Sequence, residues 1–154
     1  PETKAELLRH MSIQTIGADK INQLRVTGYF KRAADLHAHM DKMADELRPK
    51  FDIVLETLER ELGGTGLAMW QKPKGGYSVS VDTLPGCARR VCALMKEAGV
   101  TMTPAGATWP HGADPEDKNL RIAPTFPPLE ELAAAMEVLC ICIKLASLEK
   151  LLGE

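Results

Sequence analysis

The sequence predicts an α/β (α+β) fold, in which a small mixed sheet is covered by long helices. Three observations support this class. Apolar residues recur three or four positions apart over residues 30–62 and 128–152, as in helices that bury one side. Between these stretches, short apolar runs are bounded by Gly and Pro, as strands are. A chain of 154 residues is also long enough to bury one proper core.

The first part of the chain is predicted to be helical. Residues 3–16 carry apolar side chains at loosely helical spacing and stop at Gly17, and a second helix begins near Asp19. A long helical pattern then covers residues 30–62. We expect Pro49 to bend or divide that helix, because proline lacks an N–H donor and clashes with the preceding turn.

The middle of the chain changes period and predicts short strands. Residues 67–70 and 77–81 are predicted strands, and the Lys-Pro-Lys-Gly-Gly sequence between them predicts a hairpin. A helix runs from about residue 84 to Ala98, and residues 100–102 and 120–123 are two further predicted strands. The last helix opens at Pro128 and is predicted to bury Leu132, Met136, Leu139, Ile143 and Ala146.

Charge and hydropathy argue against several function classes. Nineteen basic and 21 acidic residues are well mixed and give a net charge of −2, so no basic surface for nucleic acid or an anionic membrane is indicated. The longest apolar run, near residues 138–143, is far shorter than a membrane span, and no signal-peptide pattern opens the chain. We therefore expect a cytoplasmic protein.

Cysteine and histidine spacing does not predict a metal site. His37 and His39 lie two positions apart on a predicted helix and so point to different faces, and they are more simply read as i,i+4 surface partners of Asp41 and Asp35. The cysteines match no disulfide or zinc spacing and are predicted to be reduced core thiols; they are Cys87, Cys92, Cys140 and Cys142.

Four stretches in fixed order carry a family resemblance: LLRHMSIQTIGADKINQLR (7–25), PKGGYSVSVDTLPG (73–86), KEAGVTMTPAGATWPHG (96–112) and NLRIAPTFPPLEELAAAMEVL (119–139). Together they resemble the C-terminal small domain of class I (fold-type I) pyridoxal-phosphate aminotransferases, in the aspartate-aminotransferase-like subgroup. The resemblance implies that residues 1–28 form the helical connection from the large domain and residues 29–154 form the small domain. It also implies a homodimeric parent enzyme that contains pyridoxal 5'-phosphate.

The resemblance assigns roles to four residues. Arg121 corresponds to the arginine that binds the substrate α-carboxylate, for which a planar guanidinium is suited; the alternative is a surface arginine paired with an acid such as Asp117. Gly76 and Tyr77 correspond to the mouth of the active site, or else to a simple hairpin turn. Trp109, like the nearby His111, corresponds to the substrate-side loop, unless it only covers the core.

Two function classes follow. In the first, the chain is the substrate-closing domain of an aminotransferase that moves an amino group from an amino acid to a 2-oxo acid. Its partner is then the large domain, which carries the Schiff-base lysine and the cofactor; this chain contributes no catalytic lysine, binds no cofactor and is inactive alone. In the second, it is a stand-alone α/β interaction or amino-acid-binding module. The first class predicts an exposed apolar face on the opening helix and residues 16–24.

Overall fold

The computed structural model describes residues 2–153, and it divides them into two compact units, one up to Ala44 and one from Asp45 onward. The helices are α1 (Glu2–Gln14), α2 (Lys20–Tyr29), α3 (Ala33–Leu62), α4 (Ala88–Glu97) and α5 (Leu129–Leu152). The strands are β1 (Ala68–Trp70), β2 (Val79–Thr83) and β3 (Asn119–Ile122). A single 3-10 turn covers Pro110–Gly112.

The first unit consists of α1, α2 and the first part of α3. Asp19 caps α2, because its carboxylate accepts a hydrogen bond from the backbone N–H of Asn22 at 3.0 Å. The apolar side chains of α1 and α2 face solvent: Leu24 is 71% exposed, and the others are Leu7, Leu8, Met11, Ile13, Ile21 and Val26. The exposed apolar surface predicted for this segment is therefore present.

The predicted pairing of His39 with Asp35 is wrong. The Asp35 carboxylate instead binds Arg32, at 3.0 Å from both the guanidinium and the backbone N–H. The ring of His39 lies 5.3 Å from that of Phe30, which in turn makes an edge-on contact with Tyr29. Among the side chains described, no group of three His, Cys, Asp or Glu is arranged to hold a metal ion.

Helix α3 is continuous through Pro49, so of the predicted bend or division, the division is wrong. Pro49 withdraws one donor, the N–H that would have bound the carbonyl of Asp45. The following turns bury Val54, Leu58 and Leu62. Because burial of such side chains contributes far more than one backbone hydrogen bond, the packed half of the helix tolerates the proline.

The sheet of the second unit is antiparallel throughout, with the order β1-β2-β3, rather than mixed as predicted. The predicted strand at residues 100–102 is wrong. These residues pair with no strand; Val100 instead donates its N–H to Met95 at the end of α4, and both Val100 and Met102 pack against the core. The rest of the predicted order of elements is present.

The core lies between one face of this sheet and the helices α3, α4 and α5. All five α5 residues predicted to be buried are buried. Three of the four cysteines are also buried and all four are free thiols. Burial raises the pKa of Cys140 to about 11, as expected for an unreactive core thiol. No described helix is both long enough and apolar enough to cross a membrane.

Candidate functional site

The sheet has one apolar face and one polar face, because β2 and β3 alternate strictly. Val79, Val81, Leu120 and Ile122 point into the core. Side chains one position away point to the opposite side. In the antiparallel register, Ser80 lies opposite Arg121, and Asp82 lies opposite Asn119. We refer to the following four half-buried residues as the polar face: Ser80, Asp82, Asn119 and Arg121.

Arg121 has no carboxylate partner among the described side chains. Its guanidinium carbon lies 5.1 Å from the centre of the Tyr77 ring, a cation–π contact. Within residues 3–153 its side chain forms no ion pair. The alternative partner, Asp117, is 3.6 Å from Arg89 instead and also accepts the Arg89 backbone N–H. The planar fork of Arg121 is therefore available to an acceptor from outside this chain.

Asn119 organises the rest of the polar face. Its side-chain amide nitrogen donates to Ser80 Oγ at 2.9 Å and to Asp82 Oδ1 at 2.7 Å. Its amide oxygen accepts from Thr108 Oγ1 at 2.8 Å. This contact joins the loop before β3 to the sheet, two residues from Arg121. Both amide donors and the amide oxygen are thus committed within the chain.

Asp114 fixes the loop that leads into β3. The side chain is buried, and its carboxylate accepts backbone N–H groups from Glu116, Lys118 and Asn119 at 2.8–3.0 Å. Burial alone would raise the pKa of this carboxyl, but the three hydrogen bonds to its charged form outweigh burial and lower the pKa. Asp114 is therefore held ionised and sets the position at which β3 begins.

Gly76 and Tyr77 lie in the hairpin between β1 and β2. Gly76 has φ +90°, which favours glycine, and a Cβ there would meet no described atom within 4 Å. The turn conformation therefore accounts for Gly76 without a close contact inside this chain. Tyr77 is 63% exposed, and its ring faces Arg121. The structure thus brings Tyr77 and Arg121 together.

Trp109 precedes the 3-10 turn and is 41% exposed. It does not belong to the described core, so the alternative in which it only covers the core is not favoured. His111 lies within the turn, is exposed, and has the left-handed backbone conformation with φ +59°. The neighbouring Thr108 binds Asn119, which places the start of this turn beside the polar face.

Five described lysines and the start of α4 do not fit the binding of pyridoxal phosphate. Several lysines are committed to carbonyls or carboxylates of the chain: Lys50, Lys72, Lys118, Lys144 and Lys150. The start of α4 offers no phosphate cradle, because the N–H groups of Ala88 and Arg89 are bound by Asp117.

In the described residues, a small antiparallel sheet is backed by long helices and carries an arginine, without an ion-pair partner there, beside an exposed tyrosine. Comparison with known proteins identifies the family. The sequence profile of the aspartate amino-transferase family matches residues 1–154. The chain belongs to this family and corresponds to the C-terminal part of an aminotransferase, as the resemblance predicted.

Individual relatives agree with the family match. The chain is 48% identical over 140 residues to an aspartate aminotransferase of Corynebacterium glutamicum, covering 91% of this chain and 32% of that protein. The crystal structure of an aspartate transaminase from the same species superposes with a TM-score of 0.84 over 92% of this chain and 33% of that one. The alpha-aminoadipate aminotransferase LysN of Thermus thermophilus shares the fold, although it is only 21% identical in sequence. Its crystal structure superposes with a TM-score of 0.72 over 95% of this chain and 36% of that one. The chain thus spans about a third of the length of its relatives.

The sequence named Arg121 and Tyr77 as candidate residues, and the structure places them in contact. The surrounding polar residues were not predicted, namely Ser80, Asp82, Asp114 and Asn119. The alternation of polar and apolar residues could have indicated a polar face on each strand. Polar residues at 80 and 82, and at 119 and 121, alternate with apolar ones. The strand register that sets one pair opposite the other could not be read from the sequence.

Proposed function

We propose that this chain is the substrate-closing domain of a pyridoxal-phosphate-dependent aminotransferase, and that Arg121 binds the α-carboxylate of the amino acid or 2-oxo acid. The observation that carries the proposal is the half-buried guanidinium of Arg121, which has no carboxylate partner among the described residues. A bidentate pair with a carboxylate fixes the orientation of the substrate as well as adding affinity. Arg121 then binds and orients but moves no proton.

Tyr77, Gly76 and Trp109 complete the proposed site. The aromatic face of Tyr77 holds the guanidinium without neutralising it, so the positive charge stays available to the substrate. Gly76 keeps the hairpin free of side-chain bulk at the mouth of the site. Trp109, with His111, faces the substrate side chain from the loop. A dicarboxylic or small neutral amino acid fits this proposal, in line with the name of the Corynebacterium glutamicum relative.

The remaining parts of the proposal concern the complete enzyme. There the cofactor, which supplies an electron sink for the amino-group transfer, is held by a large domain outside this chain. Residues 1–28 form the connection to that domain, residues 29–154 form the small domain, and the enzyme is a cytoplasmic homodimer. The exposed apolar side chains of α1 and α2 support a covering partner, because a packed protein rarely leaves so many large apolar residues in water.

The role of Arg121 is tested in the complete enzyme with Arg121→Lys and Arg121→Ala. Loss of a bidentate ion pair should lower kcat/KM for amino acids about a hundredfold, the equivalent of two charged hydrogen bonds. Amination of a carboxylate-free aldehyde by the loaded enzyme should change little. Arg60→Gln, which alters an exposed arginine on α3, is the matched control. An equal loss with the carboxylate-free substrate would contradict the assignment.

The inactivity of the isolated chain is tested separately. The 154-residue chain is incubated with pyridoxal phosphate, reduced with borohydride and mapped by mass spectrometry. We expect scattered, substoichiometric labelling of surface lysines and no turnover of aspartate or alanine. One stoichiometric adduct with turnover would show that this chain builds its own cofactor site and would overturn that part of the proposal.

A further inference from the structure

We propose that Asn119 is a positioning residue that keeps the carboxylate of Asp82 away from Arg121. Asp82 is the one acidic residue of the polar face, and Arg121 is its one basic residue. Among the described residues, Arg121 forms no ion pair although an aspartate lies near it on the same face of the sheet. The hydrogen bonds of Asn119 explain why these two residues are not paired.

Strand geometry places Asp82 within reach of Arg121. Asp82 lies opposite Asn119, and Arg121 lies opposite Ser80, so Asp82 and Arg121 are diagonal neighbours on β2 and β3. Such neighbours are about 7–8 Å apart at the backbone, a gap that a long side chain such as arginine spans. Pairing between them would neutralise the guanidinium and leave it unavailable to a ligand.

The Asn119 amide prevents that pairing. Its nitrogen binds Asp82 Oδ1 at 2.7 Å and Ser80 Oγ at 2.9 Å, so one group holds both the residue opposite Arg121 and its diagonal neighbour on β2. The amide orientation is fixed, because the opposite orientation would set the amide oxygen against the Asp82 carboxylate. Thr108 binds the amide oxygen and holds it from the other side.

The backbone of Asn119 is anchored independently of its side chain. Its N–H donates to Asp114 Oδ2 at 2.8 Å. Truncation of the side chain therefore leaves β3 attached to the loop and frees the Asp82 carboxylate, together with the uncharged hydroxyl groups of Ser80 and Thr108.

Lys118 is the competing cation. Its hydrogen bond to Glu116 is the main cause of its raised pKa, and the charge of Asp82 also contributes. Arg121 has the longer reach and lies on the same face as Asp82.

The first test measures Arg121 in the 154-residue chain, without any activity assay. Phenylglyoxal modifies free guanidinium groups, and peptide mapping gives the rate at each arginine. In Asn119→Ala, pairing with Asp82 should slow modification of Arg121 about fivefold, the shift that an exposed ion pair of about 1 kcal/mol provides. Adding Asp82→Asn to Asn119→Ala should restore the original rate, which a general loss of structure would not do.

Control variants separate this role from others. Thr108→Val removes the bond to the amide oxygen but leaves the bond to Asp82, so the Arg121 rate should stay unchanged. Arg60, which is paired with Glu61 and Glu137, is the internal reference. Asn119→Ser cannot span to Asp82 and serves as a second variant if Asn119→Ala does not fold. Two results would overturn the proposal. The first is an unchanged modification rate of Arg121 in folded variants, which capture of Asp82 by Lys118 would give. The second is a slower rate that Asp82→Asn does not reverse.

The second test rests on the proposed function and uses the complete enzyme. Asn119→Ala should raise KM for the amino acid about fivefold with a smaller change in kcat, and the double variant should restore KM. If modification of Arg121 responds as expected while KM does not, Arg121 is not the carboxylate-binding residue. That result overturns the proposed function and leaves the role of Asn119 supported.

Discussion

The two units of the chain carry apolar side chains at similar helical spacing, but they bury them to opposite degrees. From Asp45 onward, the apolar faces of α3, α4 and α5 meet one face of the sheet, and residues such as Val54, Leu58 and Ile143 are fully buried. Up to Ala44, most large apolar side chains face solvent. Helical spacing of apolar residues therefore predicts which face of a helix is suited to packing. Burial stabilises the helix only where another element covers that face.

The largest effect should come from truncating one leucine in each unit. Leu58→Ala opens a cavity in the core and should lower the free energy of unfolding by about 2–5 kcal/mol. Leu24→Ala removes a side chain that is 71% exposed and should change it by less than about 0.5 kcal/mol. Urea denaturation of the 154-residue chain measures both. A large loss for Leu24→Ala would show that the first unit is packed in solution.

Glycine substitutions should give an intermediate effect. Gly106 has φ +85°, and a Cβ there would collide with the carbonyl oxygen of Gly112, so Gly106→Ala should cost about 1–3 kcal/mol. Gly112 also has a positive φ but has open space around it, so Gly112→Ala measures the cost of the backbone conformation alone. Gly17→Ala in the first unit meets neither constraint and should be neutral or slightly stabilising.

Thermal melting of the three glycine variants checks this order. If Gly106→Ala and Gly112→Ala destabilise equally, the contact with the Gly112 carbonyl adds nothing, and the loop is looser than its geometry indicates.

The smallest effect should be the pH dependence contributed by Asp114. The pKa of this carboxyl is lowered in the folded state, so its contribution is present above the unfolded value of about 4 and is lost as pH falls through the folded value. Unfolding free energies from pH 6 to pH 2.5 should fall less steeply in Asp114→Asn than in the original chain. Parallel pH profiles would contradict the role of the three backbone hydrogen bonds.

Asp19→Asn is the corresponding change in the first unit. Asparagine caps helices about as well as aspartate, so stability at pH 7 should stay within about 0.5 kcal/mol of the original. This variant shows that an aspartate-to-asparagine change is not destabilising in itself.

Local patterns in the sequence predicted most of the elements but not the contacts that depend on tertiary packing. The capped start of α2, the hairpin and the buried side of α5 follow from residues close in sequence. Pro49 was expected to bend or divide α3; it does not divide it, and the following turns are packed into the core. Residues 100–102 have strand-like composition, but they lie beside the core without a pairing edge.

The candidate site divides in the same way. Arg121 and Tyr77 could be assigned from a resemblance that covers nearly the whole chain. The hydrogen bond from Asn119 to Asp82 depends on the register between β2 and β3. The two residues lie 37 positions apart in the sequence, and no local pattern specifies that register. The alternative pairing of Arg121 with Asp117 is also absent from the described residues, because the loop turns Asp117 towards the start of α4.

Lys50 determines how stiffly the strand that carries Arg121 is joined to the rest of its unit. The Lys50 ammonium donates to the backbone carbonyls of Thr125 and Pro127, both at 2.8 Å, and so fastens the β3–α5 connection to α3. These two bonds hold the residues between Ile122 and Leu129 against α3, so β3 and the start of α5 cannot move apart from α3 without breaking them.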